Sequence, residues 1–199
     1  MNTLSAFERP FLSFPEIETD RLVLRKIRPS DAYSYHQHHS TIYDSPFWEE
    51  APQNLSETKK FFREIKEWYD KKESLYWGIS LKKGKDIIGS CFFPEFENKR
   101  RATLGFWLSQ EHQKKGLMAE ALSHILDYAF SQMDLIAILA GCYTANIPSL
   151  KALKNCGFTE ASQYESEYLR KKYEWNPDVI VCLLKQKLFF SKRLNNDDL

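Results

Sequence analysis

Gln113, Lys114, Lys115 and Gly116 form a short cationic turn between an apolar run, residues 102–109, and a longer amphipathic run, residues 117–130. A strand, a basic glycine-containing turn and a helix start together suit the binding of a phosphate. The first amides of a helix have no intrahelical partner and sit at the positive end of its dipole. The same turn also fits an ordinary connection with lysines in solvent, and His112 beside it could touch an anion or simply lie on the surface. Other constellations carry less. His36, His38 and His39 cannot all face one way on a helix, and no further ligand stands beside them in sequence, so no metal site is expected. Cys91, Cys142, Cys156 and Cys182 are scattered, and neither Cys142 nor Cys156 has a histidine placed to activate it. Free thiols are expected, and no acyl-cysteine chemistry.

The elements that position the turn follow from hydrophobic period. Leu117, Met118, Ala121, Leu122, Ile125, Leu126 and Ala129 recur at helical spacing. Residues 21–27 alternate as a half-buried strand, and Pro29, Ser30 and Asp31 open a helix to about His39. Residues 41–54 read as a loop, with Trp48, Glu49 and Glu50 as candidate substrate contacts, and a helix starts near Ser56 with a basic outer face that solvation explains. Residues 76–81 and 87–93 form a hairpin, with residues 102–109 as the third antiparallel strand. Residues 134–140 read as a central strand, parallel to the residue-102 strand if the two pair. Residues 148–155 form a short helix that Gly157 can end. Late strands are expected at 161–168 and 179–184. Residues 1–19 read as an irregular arm, and residues 185–199 as a polar tail of unassigned role containing Phe189 and Phe190.

Composition narrows the class. The chain has 199 residues and a net charge of +1 spread along its length, which gives no electrostatic case for binding nucleic acid. One domain over residues 1–199 with a normal core is expected. No apolar stretch approaches the roughly 18 residues of a membrane span, and the first residues lack a basic start followed by an apolar run, so a cytoplasmic protein is expected. No Gly-x-Gly-x-x-Gly follows a leading strand, and no glycine-rich turn ends in Gly-Lys-Ser or Gly-Lys-Thr. These absences rule out a simple dinucleotide fold as first choice, and they rule out a P-loop.

The segment Gln113, Lys114, Lys115, Gly116, Leu117, Met118 resembles the acyl-CoA pyrophosphate loop of the GNAT acetyltransferases, extended by residues 104–108 before it and by Glu120 and Ala121 after it. Residues 146–149 with 154–158 resemble that family's second signature. Residues 18–25 are similar to the start of the branch that includes the ribosomal-protein N-terminal acetyltransferases. The resemblance implies an α+β fold: a mixed, mostly antiparallel sheet of about six to seven strands, with a splayed central parallel pair and flanking helices. It implies acetyl-CoA as cofactor, bound by residues 113–118, its pyrophosphate on the 114–118 amides with Gly116 allowing close approach. The edge formed by Phe106, Trp107 and Leu108 would bind the pantetheine arm. Asn146 would position the cofactor or a water, and Ser149 would stabilise or protonate the departing thiolate, or else cap its helix. The chain departs from the family pattern at Met118, where small residues are usual, and at Thr103, where relatives often carry a glutamate; a lone threonine cannot take up a proton at neutral pH, though it can hold a water that relays one.

Direct transfer requires a neutral amine to attack the thioester. Holding an α-amine neutral at pH 7 costs about 1 kcal/mol, and a lysine side chain about 4–5 kcal/mol. A site without an obvious carboxylate base therefore favours the α-amine of a peptide or protein N-terminus. Glu49, Glu50, Glu95, Glu97 and Glu120 are the carboxylates that could reach the cleft. A small amine such as a polyamine or aminoglycoside is the alternative acceptor and calls for an acidic pocket. A non-catalytic acyl-CoA-binding or interaction domain is the third possibility. A monomer or a homodimer is expected.

Overall fold

The computed structural model describes residues 5–42, 52–172 and 174–194, the last three as backbone only. Trp48, Glu49 and Glu50 lie outside the described residues. A short helix, α1 (Arg9–Leu12), and a bridge strand, β1 (Ile17–Glu18), precede β2 (Leu22–Lys26), α2 (Ala32–Ser40) and α3 (Leu55–Asp70). Next come β3 (Leu75–Leu81), β4 (Gly89–Phe93), β5 (Phe96–Glu97), β6 (Arg101–Thr103) and β7 (Gly105–Leu108). The chain continues with α4 (Leu117–Ser131), β8 (Ala137–Tyr143), α5 (Ile147–Asn155), β9 (Thr159–Glu160), α6 (Gln163–Lys172), β10 (Val179–Lys185) and α7 (Gln186–Leu194).

The expected α+β class holds, but the strands form two five-stranded sheets rather than one of six to seven: β1-β2-β3-β4-β7 and β5-β6-β8-β10-β9. The run 102–109 is the reason, because it is two strands. Its first half, β6, pairs in parallel with β8 (Thr103 opposite Leu139), as the crossover required. Its second half, β7, pairs antiparallel with β4 (Phe106 opposite Cys91). Leu104 makes the change, donating its N–H to the Leu139 carbonyl at 2.7 Å. Gly105 permits it: a Cβ there would lie 2.2 Å from the Phe92 ring.

Helix α4 covers the sheets with the periodic face read from sequence; Leu117, Ala121, Leu122, Ile125, Leu126, Ala129 and Phe130 are all buried. Emptying one such position, as in Leu122→Ala, costs roughly 2–5 kcal/mol. In α3, Asn54 caps the first turn by accepting from the Glu57 N–H at 2.9 Å, and Lys59, Lys60, Arg63 and Lys66 face solvent.

Four expectations are corrected. Residues 161–168 are not a strand. Ser162 and Glu165 form a reciprocal capping box, Ser162 Oγ accepting from the Glu165 N–H and the Glu165 carboxylate accepting from the Ser162 N–H. The alternating Tyr164 and Tyr168 point to solvent, and Ser166 and Leu169 turn inward at helical spacing. The tail is helical rather than merely polar: Phe189 packs on Phe130 at 5.1 Å, and Gln186 Nε2 donates to the Phe130 carbonyl. The arm is built in as well. Phe7 is buried in the main core, Trp77 Nε1 donates to the Pro15 carbonyl and Tyr69 donates to that of Pro10. The central strand also starts later than expected, at Ala137, because Asp134 takes a left-handed turn conformation (φ 57°).

Candidate active site

The turn after β7 is held open from several sides. Lys114 and Gly116 both adopt positive φ (59° and 76°), which turns the chain into α4 with Gly116 at its N-cap. Among the described residues, no backbone carbonyl accepts from the N–H groups of residues 114–118, so they remain available to an anion. Gln113 Nε2 donates to the Leu108 carbonyl at 2.9 Å, tying the turn to the strand before it. Arg21 ties it from below, donating from Nη1 to the Lys115 carbonyl at 2.9 Å and from Nε to Glu120 at 2.6 Å. Glu120 also accepts from the Thr19 hydroxyl and the Arg21 N–H. Burial alone would raise the Glu120 carboxyl, but these hydrogen bonds outweigh it and hold the group below the usual carboxylate range. Glu120 is thus a clamp on the N-terminal strand and does not stand free as a base in the cleft.

Beyond the Leu104–Leu139 bond the two sheets part. Strand β7 keeps β4 as its neighbour and β8 keeps β10, so the facing edges of β7 and β8 are unpaired. A cavity of about 520 Å³ fills the gap, lined by Thr103, Gly105 and Phe106 on one side and by Cys142, Tyr143, Asn146 and Ser149 on the other. The loop after α6 closes it with Glu174, Trp175 and Asn176. The Trp175 ring lies over Gly141, where a Cβ would sit 3.2 Å from it.

The sequence profile of the acetyltransferase (GNAT) domain matches residues 21–159. The chain belongs to the GNAT acetyltransferase family. Within it the chain is close to the ribosomal-protein acetyltransferases. It is 31% identical to the uncharacterized N-acetyltransferase YoaA of Bacillus subtilis (strain 168), over 73% of this chain and 83% of the relative. It is 28% identical to the [ribosomal protein uS5]-alanine N-acetyltransferase of Escherichia coli (strain K12), over 84% and 89%. The solved structure of ribosomal-protein-S5-alanine acetyltransferase from Vibrio fischeri superposes with a TM-score of 0.71 at 20% identity, covering 86% of this chain and 97% of that one. RimL, the ribosomal L7/L12 alpha-N-protein acetyltransferase in complex with coenzyme A, superposes with a TM-score of 0.70 at 20% identity, covering 86% and 98%.

In a GNAT fold the free amides of the turn and the unpaired strand edges fit the pyrophosphate and the amide-bearing arm of acetyl-CoA, and the fold and its coenzyme-bound neighbours support binding of that cofactor. The residues named from sequence fall into two groups. Gln113, Lys114, Lys115, Gly116 and Leu117 share the turn, whereas Thr103, Phe106, Asn146 and Ser149 line the cavity; no residue of 113–118 lines it. Met118 departs from the family pattern without crowding the turn, because its side chain packs inward, with its sulfur 3.6 Å from the Cys91 sulfur. Trp107 offers only backbone to a ligand. Its ring is buried against Tyr35 and His39 in a second core cluster, where burial pushes the His39 pKa down to about 4. Leu108 is buried too, and its carbonyl is taken by Gln113. At the start of α5 the capping residue is Asn146, whose Oδ1 accepts from the Ser149 N–H at 3.3 Å. The Ser149 hydroxyl makes no hydrogen bond to another described residue.

Sequence reasoning missed four features. Arg21 braces the turn. Trp175 and Glu174 wall the cavity from a loop whose position depends on α6. Glu95 accepts a hydrogen bond from the Thr103 hydroxyl at 3.0 Å; the register of the β5–β6 pair, Phe96 opposite Ala102, brings the two together. His38, Glu111 and His112 also meet, with His38 Nδ1 3.2 Å from the Glu111 carboxylate, so the helix carrying His38 is linked to the segment just before the turn. Among the described residues no helix is long and apolar enough to cross a membrane.

Proposed function

We propose that this chain moves acetyl from acetyl-CoA to the α-amine of a peptide or protein N-terminus by direct attack, as one catalytic unit over residues 1–199. The observation that carries the acceptor class is the charge of the cavity: among its described lining residues Glu174 is the one carboxylate. A polyamine or aminoglycoside calls for several carboxylates to match its charge, whereas an α-amine costs only about 1 kcal/mol to hold neutral at pH 7. The similarity to the uS5-alanine N-acetyltransferase points the same way. Direct attack is supported by Cys142, the thiol in the cavity wall, which burial and the neighbouring Cys182 push up to about 11; it is a protonated thiol, not a nucleophile.

In this reading the 114–118 amides hold the pyrophosphate and the edge of Phe106–Leu108, apart from the Leu108 carbonyl held by Gln113, pairs with the pantetheine arm. Asn146, by capping α5, sets the position of Ser149. The Ser149 hydroxyl donates to the sulfur as the C–S bond breaks. Removing one donor from a developing charge typically costs about 10²–10³-fold in rate, and somewhat less where a water replaces it. The test is thiol release from acetyl-CoA scanned across peptide N-termini and small amines, with Ser149→Ala alongside. Turnover on a peptide is expected, with kcat reduced about 10–100-fold in the variant and acetyl-CoA affinity unchanged. Turnover on small amines alone would refute the acceptor, and an unaffected variant would refute the role of Ser149.

A further inference from the structure

A second cavity, of about 810 Å³, lies on the other side of the β5–β6 hairpin. Trp68, Tyr76 and Phe96 give it an aromatic lining. Its charged wall balances, with Lys71, Lys72 and Lys99 against Glu8, Glu73 and Glu95. Pro94 lines both this cavity and the one between the sheets. Glu95 lines the second cavity, and its Oε1 accepts from the hydroxyl of Thr103, which lines the first. The Thr103 N–H also donates to the Glu95 carbonyl, so the pair is fixed through backbone as well as side chain. Because Thr103 Oγ1 spends its proton on Glu95, its lone pairs are free to accept from a donor in the first cavity.

We propose that the second cavity receives the leading residues of the acceptor peptide, and that the Thr103–Glu95 pair at the seam takes the proton its α-amine loses. The proposal rests on the peptide-acceptor reading above. A balanced, aromatic-lined cavity matches a short peptide segment with an apolar side chain and does not match a polycation. The step balances. The amine nitrogen bonds to the thioester carbonyl carbon, and the C–S bond breaks with its electron pair on sulfur. An amine proton passes to Thr103 Oγ1 as the hydroxyl proton passes to Glu95. That proton then returns through solvent to the thiolate, leaving an amide and a free thiol. Neither residue touches the pyrophosphate turn, so the turn's hold on the cofactor is independent of both.

The test uses the full chain and the best acceptor found in the amine scan, with Glu95→Gln, Thr103→Val, Thr103→Ser and Trp68→Ala. Glu95→Gln and Thr103→Val are each expected to lower kcat about 100-fold or more, with acetyl-CoA affinity unchanged. Thr103→Ser should restore most of the rate, which a purely structural role for the methyl-bearing side chain would not predict. Trp68→Ala should raise peptide KM about tenfold and spare kcat. Parent-like kcat in Glu95→Gln overturns the proton route, and an unchanged peptide KM in Trp68→Ala overturns the cavity assignment. If only a small amine turns over, the peptide reading and the peptide's place in the cavity fail together, while Glu95→Gln still decides the proton route. If no amine turns over, both readings fall.

Discussion

At the turn, residues 113–118 are contiguous in sequence and are braced by Gln113, Arg21 and Glu120 through hydrogen bonds of 2.6–2.9 Å. At the far end of the slot the walls come from segments remote from one another: Thr103 from a hairpin, with Glu95 hydrogen-bonded behind it, Ser149 from α5, Trp175 from the loop after α6. The turn presents backbone, whose geometry one glycine and one neighbouring lysine in left-handed conformations can set. The far end presents side chains, whose geometry depends on helix caps and strand register. A cofactor shared by a whole family suits the first construction, and an acceptor that differs between members suits the second.

That contrast can be broken by substitution. Gly116→Val forces a β-branched residue to φ 76° and sets its Cβ 3.4 Å from the Arg21 guanidinium. The strain, roughly 1–2 kcal/mol, predicts acetyl-CoA binding weakened about 5–30-fold by calorimetry with peptide KM unchanged. An equal loss in both would mean that the two ends are mechanically one.

Glu120→Gln is the next largest effect, about 1–2 kcal/mol of stability at neutral pH. The folded pKa of Glu120 lies below its unfolded value near 4.5, so the stabilisation is complete above that value and is lost as pH falls through the lowered folded pKa. Melting curves of parent and variant should therefore differ at pH 7 and converge in acid. A gap that persists in acid would show that packing, not charge, carries the clamp.

Ser162→Ala sharpens the comparison from the other end. It removes half of the capping box of α6, for about 1 kcal/mol and a fall in melting temperature of roughly 2–4 °C. It should leave acetyl-CoA affinity untouched. A change in that affinity would show that the loop bearing Trp175 shapes the cofactor half.

The same contrast governs how much was legible in the sequence. The turn and α4 could be read because their signals, a basic glycine turn and a 3.6-residue period, are local. The break in the run 102–109 had a local sign, Gly105 inside a strand, but its meaning depended on Phe92 in a neighbouring strand. The helix at 163–172 also had a local sign, the Ser162 and Glu165 spacing, which the period-two tyrosines obscured. Glu95 was recognised as a carboxylate within reach, but its pairing with Thr103 became visible only with the register of the β5–β6 pair. Arg21 and Glu120 each stood in a motif, and nothing local told that one braces the other across 99 residues.

That long-range brace couples ligand to chain end. Whatever occupies the turn restrains the Lys115 carbonyl, and through it Arg21 and the strand that follows. A ligand at one hundred times its dissociation constant adds about 2.7 kcal/mol to the folded state. Through Arg21 that protection reaches residues 19–26, which no cofactor atom need touch. Coenzyme should therefore slow proteolysis and amide exchange along β2, making that strand a reporter of occupancy at a turn 94 residues further along the chain.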